Sequence, residues 1–111
     1  MIHECDIRRR GDAILIGIAL EHALLDFETT ENLLRDCSDF LETPHMGFAD
    51  ISIGKFGPFQ VRLNMHPDAT ISIFVAGPQF EPNREVCAAV WLSKEEVLGV
   101  IKAGLGAAHG T

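Results

Sequence analysis

The side chains able to do chemistry in this chain are few and poorly assembled along the sequence. His3-Glu4-Cys5-Asp6 packs four potential metal ligands into one segment. In an extended strand, neighbours point to opposite faces, so only His3 and Cys5 could share an ion. Structural zinc needs four ligands, commonly in close pairs, and no CxxC, HxxxH or HExxH occurs. His22 and Asp26, four apart, would supply two ligands on a helix face and no third. No metal and no cofactor are expected.

Nucleophiles fare no better. The three cysteines, Cys5, Cys37 and Cys87, are widely spaced in apolar contexts, and a buried thiol without a cationic neighbour is inert. GxSxG is absent, and Ser93 is accounted for as a helix cap. For acid-base work the candidates are His45, His66 and Asp50, the last alone among apolar neighbours. An inward Asp50 would have a raised pKa and mark a site; the plainer expectation is that it faces water. Gly54, Gly57 and Gly77 read as turn residues, since none stands between a strand and a helix N-terminus as a phosphate loop requires. Catalysis is therefore not expected.

The charge pattern is more informative. The chain has 111 residues and a formal net charge of −7. Between Glu21 and Glu42 stand seven acids and one base, Arg35, which carry six of those seven charges. Such a surface repels phosphate backbones, and Arg8-Arg9-Arg10 is the only basic cluster, so no nucleic-acid partner is expected. The longest apolar run, Ala13 to Leu20, is eight residues, far below the ~20 that cross a bilayer. No export signal is legible at the N-terminus, and three cysteines, an odd number at wide spacing, suit a reducing compartment. The expectation is a cytoplasmic protein with no membrane partner.

These side chains must be positioned by one domain, residues 1–111, because a chain this long builds a single core. Ala13 to Leu20 reads as a strand covered on both faces, and Ile2 to Arg9 pairs with it across Arg10-Gly11. From Thr30 to Leu41, the positions Leu33, Leu34, Cys37, Phe40 and Leu41 form one helical stripe. Thr29 or Thr30 caps that helix, and Pro44 ends it. Period-two alternation follows in Phe48 to Ile53, Phe59 to Met65 and Ile71 to Val75, with turns at 54–58 and 66–69. Gly77 to Asn83 reads as a loop and Val86 to Leu92 as a buried strand. Ser93-Lys94-Glu95-Glu96 is a capping box for a second helix through Leu105, closed by Gly104 or Gly106.

The pattern predicts an α+β fold: an antiparallel sheet of four to five strands with two helices packed on one face, a two-layer sandwich. The uncovered face would carry Gln60, Arg62, Asn64, Thr70 and Ser72, with Phe74 as an exposed aromatic.

The leading functional expectation is a non-catalytic binding or regulatory module for a protein partner, contacted by the acids Glu28, Glu31, Asp36, Asp39 and Glu42. An inhibitor of a basic partner, in the manner of toxin-neutralising proteins, is one specific form. The alternative is a small-molecule-binding protein or small enzyme. Its pocket would lie between sheet and helices or at a dimer seam, lined by Phe56, Phe59, His66, Phe74 and Trp91. A third reading is a structural homodimer joined through the outer sheet face or its edge strands.

Overall fold

The computed structural model describes residues 2–21, 24–44, 49–68, 70–76 and 86–109. Seven strands and two helices follow in the order β1 (Ile2–Arg10), β2 (Ala13–Leu20), β3 (Leu24–Thr29), α1 (Glu31–Glu42), β4 (Ala49–Phe56), β5 (Phe59–Met65), β6 (Ile71–Ala76), β7 (Val86–Leu92) and α2 (Lys94–His109). The strands form one antiparallel sheet in chain order, β1 to β7. The α+β class is as expected, but the sheet has seven strands rather than four to five.

The other six strands each coincide with a segment read as extended, and all of them join the sheet, whereas β3 was not foreseen at all. Its residues alternate, with Phe27 and Thr29 buried and Leu24 and Asp26 exposed, as a half-covered strand requires. In the sequence its two acids merge with the acidic run of the following helix. Glu28 accordingly sits on a strand, while Glu31, Asp36, Asp39 and Glu42 are helical.

Registered partners in the sheet share a face. One face carries Ile7, Ile16 and Phe27 across β1–β3, and Ile51, Leu63, Ile73 and Val90 across β4–β7. Leu34, Cys37 and Leu41 of α1 and Val97, Val100 and Ile101 of α2 join this face in a single core. The helices also pack on each other. A Cβ added at Gly104 of α2 would stand 2.7 Å from Leu34 Cδ1 and 3.3 Å from Ile16 Cδ1. Gly104 and Gly106 thus lie within α2, which runs on to His109 instead of closing there.

The sheet curls. The two edges of a flat seven-stranded sheet would lie about 29 Å apart. Here the backbone N–H of Ile2, at the start of β1, donates to Glu96 Oε2 at 2.8 Å, and Glu96 follows the end of β7 by four residues. The two edges therefore approach each other around the helical layer. The expected capping box is present in both directions: Glu96 N–H donates to Ser93 Oγ, and Ser93 N–H to Glu96 Oε1, each at 3.2 Å.

Tight turns close the hairpins. Gly11 and Gly57 take φ of +60° and +58°, a region open to glycine at little cost. The turn after β4 falls at Gly57-Pro58, because the strand continues through Gly54 to Phe56. After β5, His66 N–H donates to the Thr70 carbonyl at 3.0 Å, and Asp68 Oδ1 accepts from Thr70 N–H at 3.0 Å.

Candidate functional site

Three features stand out: the solvent face of α1, an aromatic group on the outer sheet face, and a seam between β3 and β4.

On α1, Thr30 is the N-cap, its Oγ1 accepting from Leu33 N–H at 3.2 Å. The apolar stripe buries Leu34, Cys37 and Leu41, which turns Asp36, Asp39 and Glu42 to solvent. Other acids meet bases: Glu31 pairs with Arg35 at 2.8 Å, Glu28 with Lys55 at 3.7 Å, Asp6 with Arg8 at 3.0 Å, and Asp50 with Arg62 at 3.1 Å. Among the described residues, no base pairs with Asp36, Asp39 or Glu42. Asp50 thus faces solvent, as expected, and bridges β4 to β5.

The five pocket candidates fall into two places. His66, Phe74 and Trp91 belong to the β5–β7 part of the sheet, where register sets Asp50, Asn64, Ser72 and Trp91 in one outer row. His66 stacks on Trp91 with ring centroids 4.5 Å apart, and its Nε2 shares a hydrogen bond with Ser72 Oγ at 3.2 Å. Trp91 is 60% exposed, whereas Phe74 is only 8% exposed, contrary to the expectation of an open aromatic. Phe56 and Phe59 face each other at the β4–β5 turn. With a rise of 3.3 Å per residue, that turn lies about 23 Å along the chain of β5 from His66.

The seam follows from a stagger that no local pattern announces. Among the described residues, β3 and β4 register at a single pair, Glu28 and Lys55. The first half of β3 runs past the β4–β5 turn, and the first half of β4 runs past the end of β3, where the chain turns into α1. There α1 takes the place of a strand: Cys37 Sγ donates to the Ser52 carbonyl at 3.2 Å. Burial, then the nearby Asp36 charge, pushes the Cys37 thiol up to about 12, which keeps it in the protonated, weakly reactive form at neutral pH. Gly54 follows a bulge in β4, and a Cβ there would collide with the Glu28 carbonyl oxygen. A glycine inside an apolar strand is the signal that could have revealed this close approach.

Hollows flank the Glu28–Lys55 bridge. One, of about 450 Å³, lies over Gly17 and is bordered by Asp6, Arg8, Asp26, Lys55 and Phe56. The other, of about 510 Å³, opens beside the first turn of α1 and is lined by residues including Thr29, Leu33, Ser52, Gly54 and Gln60. Thr29 is 2% exposed, and its Oγ1 is the one buried side-chain polar atom without a partner among the described residues.

Cys5 is exposed, with its thiol raised by partial burial and then by Asp6. Among the described residues, no three His, Cys, Asp or Glu side chains converge to hold a metal. His22 and His45 lie outside the described residues, as do the 77–83 loop and the side chain of Cys87. No described helix is long and apolar enough to cross a membrane. Compared with family models, with curated proteins and with solved structures, the chain finds no match.

Proposed function

We propose that this protein is a non-catalytic binding module that engages a basic protein partner through the solvent face of α1. One observation carries the reading: among the described residues, Asp36, Asp39 and Glu42 stand exposed on one helix with no base paired to them, while Glu28, Glu31, Asp6 and Asp50 each pair with a neighbouring base. An uncompensated acidic face attracts a cationic surface over about 10 Å at ordinary ionic strength and raises the rate of encounter. An inhibitor occluding a cationic active site is one form of such a module. The raised pKa of Cys37 and the commitment of Ser93 to a helix cap support a non-catalytic role.

The test is affinity capture at 50 mM and 500 mM salt, with wild type beside the neutral triple variant D36N/D39N/E42Q, followed by kinetics on the captured protein. The reading expects a basic partner held by wild type at low salt, released at high salt, and bound by the variant with an on-rate at least tenfold lower. Capture indifferent to both salt and the triple variant would sink it.

A further inference from the structure

We propose that β1, an edge of the sheet, pairs antiparallel with β1 of a second copy of this chain about a two-fold axis at Ile7, joining two seven-stranded sheets into one. Among the described residues β1 pairs with β2 alone, and no strand lies along its other side. Seven of its nine residues are exposed, Ile2 and Ile7 being the half-buried pair, so the edge is open. Such an edge carries unpaired N–H and C=O groups that template a further strand. The stretch available runs from Glu4 to Arg10, because Ile2 N–H is held by Glu96 and the register of β1 slips between Ile2 and Glu4.

Charge names the occupant. Glu4, Asp6, Arg8 and Arg10 register with Ala19, Gly17, Leu15 and Ala13 and share the outer face, while Cys5, Ile7 and Arg9 register with the buried Ile18, Ile16 and Ile14. The outer row thus reads acid, acid, base, base, and in the reverse direction base, base, acid, acid. An axis at Ile7 sets Glu4 opposite the partner's Arg10 and Asp6 opposite the partner's Arg8, each twice by symmetry. On the inner face Ile7 meets the partner's Ile7, and Cys5 meets the partner's Arg9. Moving the axis by one residue, to Asp6 or to Arg8, would set two aspartates or two arginines against each other. Opposite charges directly across a strand pair stabilise it and like charges destabilise it, so the Ile7 register is favoured over its neighbours.

The same residues exclude other strands. Charged edges and a charge on the inner face, here Arg9, are means by which proteins prevent indiscriminate edge pairing. Arg9 is exposed and its Nε donates to the Gly11 carbonyl at 3.1 Å, which draws it toward the β1–β2 turn and away from Ile7. Within one copy Asp6 and Arg8 already pair at 3.0 Å. In the dimer these two pairs lie side by side as four alternating charges.

Sedimentation equilibrium of the full chain at 50 mM and 500 mM salt tests this. A dimer is expected, with a dissociation constant at least threefold higher at the higher salt. E4R/D6R makes the outer row wholly basic and R8E/R10E makes it wholly acidic. Each alone should dimerise at least tenfold more weakly, and their mixture should form a heterodimer within about threefold of wild type. All four positions are exposed, so both variants should keep the wild-type circular dichroism, and recovery in the mixture shows that neither is misfolded. The register is read with Arg9→Cys, whose thiol falls opposite the partner's Cys5. Directly opposed residues have Cα atoms about 4.5–5.5 Å apart, within disulfide reach, whereas positions 5 and 9 of one strand are about 13 Å apart. Mild oxidation should therefore give a covalent dimer that maps to Cys5. The proposal is overturned by a monomer at about 100 μM, by a dimer indifferent to both charge-reversed variants, or by no cross-link at Cys5. It is overturned too if D36N/D39N/E42Q abolishes the dimer, which would move the interface to α1.

Discussion

Cys37 and Cys5 show how much a single side chain owes to its neighbours. Cys37 lies on the apolar stripe of α1, donates a hydrogen bond to the Ser52 carbonyl and has its pKa pushed up to about 12. Only the thiolate attacks alkylating reagents, so iodoacetamide at pH 8 should label Cys5 and leave Cys37 unmodified until the protein is unfolded. Peptide mapping by mass spectrometry reads this directly, and labelling of native Cys37 would contradict the burial. Glu96 makes a second case. It accepts from Ile2 N–H and from Ser93, and these bonds, the Ile2 bond foremost, hold its pKa below the ordinary value. A depressed carboxyl pKa means that its stabilisation is complete above the unfolded value of 4.5 and fades as pH falls through the folded value. Glu96→Ala should lower stability by about 1 kcal/mol at pH 7 and by less at pH 3, measured by urea unfolding. The cap itself was readable in Ser93-Lys94-Glu95-Glu96. The bond to Ile2, ninety-four positions away, was not.

At the scale of elements, three glycines on one helix separate space from propensity. Gly99 and Gly106 have nothing near a built Cβ, whereas Gly104 faces Leu34 and Ile16, both almost fully buried. Alanine at Gly99 or Gly106 should stabilise the protein by roughly 0.5–1 kcal/mol through helix propensity. Alanine at Gly104 should destabilise it by about 1–3 kcal/mol, because neither neighbour can move without displacing the core. Thermal unfolding of the three variants distinguishes these outcomes. The helices were legible because each couples a cap to a 3.6-residue apolar stripe. Of the strands, β2, β5 and β6 were legible from apolar runs or clean alternation. β3 was hidden because Asp26 and Glu28, its outward residues, read as the beginning of the helix's acidic face. The difference between Gly99 and Gly104 was likewise hidden, since periodicity does not say how near another element comes.

The whole molecule is two half-sheets, β1–β3 and β4–β7, meeting at one registered pair and held together by a shared helical layer. Gly54 permits that meeting, and the atom a side chain would strike is backbone, which has no rotamer to change. Gly54→Ala should cost about 3 kcal/mol, the upper end of the overpacking range, and should speed hydrogen exchange at β3 and β4 more than at β5 and β6. Uniform exchange across the sheet would mean that the seam is no weaker than the rest. Composition, alternation and capping by themselves determined the α+β class, the two helices and their buried stripes, and the acidic helix face, because these depend on neighbours within about ten residues along the chain. Only the tertiary structure decided the strand count, the stagger between half-sheets, the orphaned Thr29 hydroxyl, and the division of the aromatic residues between the His66–Trp91 stack and the β4–β5 turn. Those features depend on which distant segments become adjacent, and adjacency is set by the packing of the whole core rather than by any local period.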